Sequence, residues 1–478
     1  MESKSTLEDI ESGSPRKMDV SSSNYTKYKD SNSSAINSSL LSVNAVTSDG
    51  AEGGNKVYSF VEGAKVMVMT GPMNILLLAT PVALLSYWLD WNAGVTFIFA
   101  LLAIAPFAER LGFVTEQLAL HTNDTIGGLL NATFGNATEL IVSIAALFKG
   151  LYRLVQLSLL GSILSNLLLV LGCAFFFGGL KFKEQYFGTI SSQINSTLLL
   201  CAAMGVLFPT VLTYANEEGL KEELGFSRAT AMVLFVLYFM FLYFQLYTHK
   251  NVYDSVTEGK EPSNLLAGAR EGSSADLSNS FINSAEMISA AASTATTTES
   301  DDSPVAAADD DEEEDVLGVK YAVVWLTIIT VFISVLSDAL VSSIETAASG
   351  TGISSVFLSA IVIPIVGNAA EHASAVLVAM KNKLDLSLGV AVGSSTQIAL
   401  MVLPFTVLVG WCADRPMSLN FYAYEAASLF ATVVVVTFAI KDGKSNWLLG
   451  AILVFAYIII AIGFYSHDNE DLGEDSRR

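Results

Sequence analysis

The chain has 478 residues, 52% of them hydrophobic and 15% charged, with a mean hydropathy of +0.51. Soluble domains carry about 25% charged residues, so the composition excludes an ordinary soluble protein and predicts one that lives in a bilayer. The net charge of −22 comes without a basic patch and excludes nucleic acid as a partner, and three scattered cysteines exclude a disulfide framework or a cysteine metal site.

Residues 1–65 are polar and Ser-rich, which predicts a disordered cytosolic tail with no cleaved signal peptide. Apolar segments of spanning length follow near 70–90, 93–119, 124–149, 155–179, 189–214 and 226–248. A polar insert, 249–317, contains the acidic run DDDEEED at Asp309 to Asp315. It reads as a solvated linker, or as a calcium-attracting regulatory segment. Further spans fall near 319–347, 354–380, 386–411, 418–440 and 446–466, before a short tail at 467–478. The predicted fold is an all-α membrane protein of about 11 transmembrane helices. It divides into a leading helix (66–92), a five-helix repeat (93–248), the insert, and a second five-helix repeat (318–466). Glu217, Glu218, Glu222 and Glu223 read as a solvated loop.

Orientation follows from the distribution of cations. With the N-terminus in the cytosol, ten flank spans on the cytosolic side: Lys65, Arg110, Lys181, Lys183, Lys250, Lys320, Lys381, Lys383, Lys441 and Lys444. Five lie opposite: Lys149, Arg153, Lys221, Arg228 and Arg415.

Two polar pentapeptides interrupt the apolar segments. Gly135-Asn136-Ala137-Thr138-Glu139 recurs as Gly367-Asn368-Ala369-Ala370-Glu371, offset by 371 − 139 = 232 positions. Gly161-Ser162 recurs as Gly393-Ser394 at the same offset. Glu109 and Glu116 are seven apart, two helical turns, as are Asp338 and Glu345. A five-span repeat must invert in its second copy, the pattern of secondary transporters with a site at the bilayer midplane.

A charge at a helix centre costs roughly 2.5–3.5 kcal/mol on insertion scales, so two matched buried carboxylates call for a function. Calcium wants six to eight oxygens. Glu139 and Glu371 can neutralise it, Asn136 and Asn368 share their helix faces, and Gly135 and Gly367 allow local unwinding that frees carbonyls. The alternative is that Gly and Asn serve only close helix packing. Two nearby carboxylates do not readily both stay charged without a cation, so protons can replace the metal and drive antiport. His372 beside Glu371 is either a proton relay or a packing residue, and only the second copy has it. Glu116 and Glu345 are expected to line a cation or proton access path. No resident cofactor is expected. Calcium is the cargo, manganese an alternative cargo, and protons the counter-ion, with sodium the rival driving ion. A cation channel is the reading from another class, disfavoured because no filter sequence is present.

The segments GNATELIVSIAAL (135–147), GSILSNLLLVLG (161–172), GNAAEHASAVLVAMKNK (367–383) and GSSTQIAL (393–400) closely resemble the signatures of the calcium/proton exchangers of the calcium/cation antiporter superfamily. The resemblance covers roughly 60–250 and 318–466. It implies one leading helix and two inverted five-helix halves, with Glu139 and Glu371 carrying the exchanged ions. It also implies that Ser162, Asn166, His372, Ser394 and Gln397 line the site, and that cytosolic calcium is exchanged for lumenal protons at the vacuolar membrane.

Overall fold

The computed structural model describes residues 60–69, 72–215, 217–249 and 317–466. The expectations for 1–59, for 250–316 with its acidic run, and for 467–478 lie outside the described residues.

The helices follow the apolar segments. They are α1 (Phe60–Met69), α2 (Ala79–Trp88), α3 (Ala93–Leu120), α4 (Asp124–Phe134), α5 (Ala137–Phe148) and α6 (Tyr152–Lys181). After α7 (Thr189–Ala215) and α8 (Glu217–Tyr243) come α9 (Val319–Thr351), α10 (Ser355–Gly367), α11 (Ala369–Met380), α12 (Leu384–Cys412), α13 (Ala423–Ile440) and α14 (Trp447–Tyr465). Among the described residues, eight helices are long and apolar enough to cross a membrane, and nine if α10 and α11, bent by 55°, form one span. Two shorter apolar helices, Met73–Trp88 and Ala137–Phe148, add to these. The sole sheet among the described residues pairs β1 (Gln185–Tyr186) antiparallel with β2 (Lys444–Ser445).

α6 is the axis of the fold. Its sequence is apolar all round, which predicts a helix buried on every side, and all residues from Arg153 to Leu164 are buried. Glycines let its neighbours approach. A Cβ on Gly161 would lie 2.0 Å from the Ala360 carbonyl oxygen of α10, and one on Gly450 of α14 would lie 2.2 Å from the Phe176 nitrogen. Small residues at such crossings are the usual basis of tight helix packing in membranes. Gly161→Ala and Gly450→Ala are each expected to lower unfolding stability by about 1–3 kcal/mol. Gly393→Ala, where the added methyl meets nothing within 4 Å, is expected to stay within about 0.5 kcal/mol of the parent. Thermal unfolding in detergent checks all three, and equal losses at the three sites would contradict the assignment.

α3 and α9 form an antiparallel pair. Leu317 N, just before α9, donates to Gln117 Oε1 near the end of α3 (3.1 Å), and Phe107 stacks on Phe332 with ring centroids 5.0 Å apart. At the far end, Lys149 pairs with Asp338 (2.6 Å), which also accepts from the Tyr87 hydroxyl (2.5 Å).

Three expectations need correction. Glu217, Glu218, Glu222 and Glu223 open helix α8, and Glu223 is buried, accepting from the Ser227 hydroxyl at 2.7 Å. Arg153 is not a loop cation but is 3% exposed inside α6, in an ion pair with Glu425 of α13. Arg110 is likewise buried, beside Glu109 at 3.4 Å. An apolar stretch interrupted by a lone arginine looks like a span end; for Arg153 a partner distant in sequence takes the charge inside. Arg228 too lies inside a helix, α8, over the Trp411 ring, and Lys250 lies outside the described residues.

Candidate ion-binding site

Both pentapeptides fall at helix breaks. α4 gives way to α5 at Gly135-Asn136, and α10 gives way to α11 at Asn368. The two asparagines share a backbone conformation, φ −112° and ψ 25° at Asn136, φ −102° and ψ 16° at Asn368. Each glutamate then sits in the first turn of the following helix. There the N-terminal partial charge of the helix favours an anion, which offsets part of the expense of an intramembrane carboxylate.

The breaks are tied to the two segments that carried the Gly-Ser repeat. Asn136 Nδ2 donates to Gln397 Oε1 (2.7 Å), and Ser394 Oγ donates to Asn136 Oδ1 (2.9 Å). Asn166 Nδ2 donates to Ser394 Oγ (3.3 Å), and Asn368 Nδ2 donates to Ser162 Oγ (3.3 Å). The Asn368 amide also bonds the Glu139 carboxylate, and Glu139 and Glu371 lie close enough for their charges to interact. Residues 232 positions apart thus converge on one cluster. A ≈ 30 Å³ cavity on the Glu139 side of this cluster is lined by Thr138, Glu139, Ser158, Ser162, Gly367 and Asn368 among others, and by none of Asn136, Asn166, Glu371, Ser394 or Gln397; it has room for a water or two, or one bare ion.

Four buried polar atoms here have no hydrogen-bond partner: Glu139 Oε1, Glu371 Oε2, Asn166 Oδ1 and His372 Nε2. Three of them are pure acceptors when the carboxylates are ionised. Such atoms are costly to bury and are the kind a cation or a proton satisfies.

The remaining expected residues fall elsewhere or play other parts. Asn136 has both amide atoms engaged in holding α12, so it acts as a strut between helices. Gly135 is exposed. Glu116 and Glu345 are both exposed, on α3 and α9, and line no part of the cavity. Glu116 lies at the end of α3 where α9 begins, and Glu345 lies roughly 40 Å further along α9 at 1.5 Å per residue. The seven-residue spacing fixed a helix face but not which way that face looks.

The sequence reading missed Thr138 and Ser158. Thr138 stands where the second copy has Ala370, so matching the copies discards it. Ser158 precedes Ser162 by one turn of α6, a spacing that could have revealed it. Also missed was the direction of the Asn368 contact, which crosses from one copy to the other.

Comparison with known proteins bears on this arrangement. The model of the family described as sodium/calcium exchanger protein matches residues 92–247 and 321–466. The chain belongs to this family. The two matched blocks carry the two pentapeptides and leave the polar insert between them. The chain is 42% identical over 424 residues to vacuolar cation/proton exchanger 3 of Oryza sativa subsp. japonica, covering 87% of this chain and 92% of that protein. It is 44% identical to vacuolar cation/proton exchanger 5 of Arabidopsis thaliana, covering 86% of this chain and 85% of that protein. Among solved structures it is similar to the selenium-substituted Ca2+/H+ antiporter YfkE, with a TM-score of 0.61 and 32% identity, over 82% of this chain and 98% of the other. The chain is thus an integral membrane protein of an exchanger family, and the relatives it matches are cation/proton and Ca2+/H+ exchangers.

Proposed function

We propose that the protein exchanges cytosolic calcium for lumenal protons at one site shared by Glu139 and Glu371. The observation that carries this reading is the pair of interacting buried carboxylates, Glu139 and Glu371, each with an unpartnered oxygen, Glu139 lining a small cavity. A divalent cation satisfies them together by balancing both carboxylate charges. Protons satisfy the two carboxylates by removing the charges. The two fillings exclude one another, so each change of occupant carries calcium one way or protons the other. Calcium is cargo here, and the chain's own oxygens do all the binding. The cation/proton names of the relatives and of YfkE support the pairing of ions.

The eight long helices, the bent pair α10–α11, and the shorter apolar helices with their continuations α1 and α4 would make eleven crossings. The leading crossing would stand apart, and five would lie on each side of the insert. Two further features support an inverted repeat: matching breaks at Asn136 and Asn368, and widened π-helical turns at Ser165–Val170 and Ile398–Val402. The excess of lysines on one face supports a cytosolic N-terminus, and the vacuolar names of the relatives favour the vacuolar membrane.

The copies are engaged unequally. Asn368 holds Glu139 and Ser162, whereas Asn136 holds Gln397 and Ser394. In an inverted repeat the opposite-facing state exchanges the roles of the copies. Asn136 would then leave Gln397 for Glu371 while Asn368 releases Glu139. Each asparagine serves as a clamp on the carboxylate of the other copy.

Sodium is the rival driving ion, favoured by the description of the matching family. Proteoliposomes given a pH jump or a sodium jump separate the two, with calcium and manganese uptake followed in parallel. The expected result is calcium uptake after the pH jump and none after the sodium jump; the reverse would replace the proton in this scheme.

A further inference from the structure

Three loops on one face of the membrane domain are knitted into a single surface. β1 pairs with β2, joining the loop after α6 to the loop after α13. Gln185 Nε2 donates to the Ala379 carbonyl (2.8 Å) and to Asn382 Oδ1 (3.0 Å), Lys181 Nζ donates to the Met380 carbonyl (2.9 Å), and Gly188 N donates to Asp385 Oδ1 (2.7 Å). These bonds add the loop after α11. The surface carries six exposed lysines: Lys181, Lys183, Lys381, Lys383, Lys441 and Lys444.

Half of them have a local reason. Lys181 is the last residue of α6, and Lys381 and Lys441 are the C-caps of α11 and α13, where a cation complements the helix dipole. Lys183, Lys383 and Lys444 lie beyond the helix ends. The acids nearby, Glu184, Asp385 and Asp442, offset only part of the positive charge: six lysines against three carboxylates leave a surplus of 6 − 3 = 3. Exposed Leu180, Tyr186, Ile190 and Trp447 rim the patch; tyrosine and tryptophan mark the headgroup level of a bilayer, and the leucine and isoleucine add apolar surface beside it.

We propose that Lys183, Lys383 and Lys444 form a binding site for a multiply phosphorylated lipid headgroup in the leaflet on this face. A diffuse positive-inside bias needs only scattered cations. Here hydrogen bonds and strand pairing fix the loops, so three surplus ammonium groups are held together beside an apolar rim. That arrangement suits one ligand that has several phosphates and acyl chains.

The test uses the full-length protein in neutral detergent, titrated with short-chain phosphatidylinositol bisphosphate and read by native mass spectrometry. Replacing the three lysines, K183Q/K383Q/K444Q, is expected to weaken binding roughly a hundredfold. K65Q/K320Q, which removes two cations outside the patch, is expected to change it less than about threefold. Unchanged binding by the triple variant overturns the site. So does phosphatidylserine that competes equally at matched charge, which would mean a diffuse field. Inositol phosphate without acyl chains binding as tightly would make the ligand a soluble one and overturn the lipid assignment. Lipid binding that emerges only after Asp309 to Asp315 are neutralised would make the chain's own acidic run the occupant and likewise overturn it. Calcium uptake by the triple variant in phosphatidylcholine vesicles, expected to equal that of the parent, confirms that it is folded.

Discussion

Glu139→Gln and Glu371→Gln are each expected to reduce pH-driven calcium uptake to the level of empty vesicles while leaving the protein folded. Glutamine keeps the shape of the side chain and its capacity to accept from Asn368, but it cannot neutralise calcium or exchange a proton. Neither change opens a cavity. Both remove a buried charge that is costly in a bilayer, so unfolding in calcium-free buffer should occur at the same temperature or higher. Calcium should raise the unfolding temperature of the parent, because a ligand at a hundredfold its Kd adds about 2.7 kcal/mol, and should leave both variants unmoved. Loss of uptake with the calcium-induced shift intact would put the carboxylates on the transport pathway but outside the binding site. Uptake that survives either substitution would remove them from both.

The second large effect lies far from the cavity. Arg153 lies against Glu425 in a two-pronged ion pair, Nη2 to Oε1 at 2.5 Å and Nη1 to Oε2 at 3.1 Å, with its guanidinium 4.2 Å from the Tyr422 ring centroid. Arg153 also donates to Gln156 Oε1 (2.6 Å), whose amide holds the carbonyls of Ser418 (3.0 Å) and Asn420 (3.1 Å). Leu419 N and Phe421 N are bound by Ser227 and Thr210, so the loop between α12 and α13 is tucked inward and Met417, Leu419 and Phe421 are fully buried. Glu425→Ala strands the arginine, and breaking a buried pair on one side costs about 3–5 kcal/mol. The expected result is a much reduced yield of monodisperse protein and a clearly lower unfolding temperature. Replacing both partners with leucine, R153L/E425L, should recover most of the loss, since no charge is left unpaired. Wild-type stability in Glu425→Ala would show that the pair contributes little and that the loop is held by its backbone contacts alone.

Much of this was legible in the residues. Apolar runs marked the helices because a bilayer permits little else, and the constant offset of 232 paired Asn136 with Asn368 and Ser162 with Ser394, residues that hydrogen bonds join in one cluster. The helix break at Asn368 was foreshadowed by the glycine before it. What was hidden was direction and partnership. Spacing put Glu116 and Glu345 on helix faces but could not say that both look outward. Arg153 read as a loop cation because its partner, Glu425, lies 272 positions away. Gly161 and Gly393 looked equivalent in the repeat, yet Gly161 exists for a helix crossing with Ala360 and Gly393 has open space around it. Thr138 was lost because it breaks the symmetry that located everything else.

The central claim is that calcium and protons compete for Glu139 and Glu371. The most direct measurement records both ions at once in vesicles loaded acidic inside, with an external calcium indicator and an internal pH dye. Calcium entry should be matched by proton exit in a fixed ratio, proton exit should be small when no calcium is supplied, and both fluxes should vanish together in Glu139→Gln and in Glu371→Gln. Calcium entry without proton exit, or a coupled exchange that persists in either variant, would contradict the shared site.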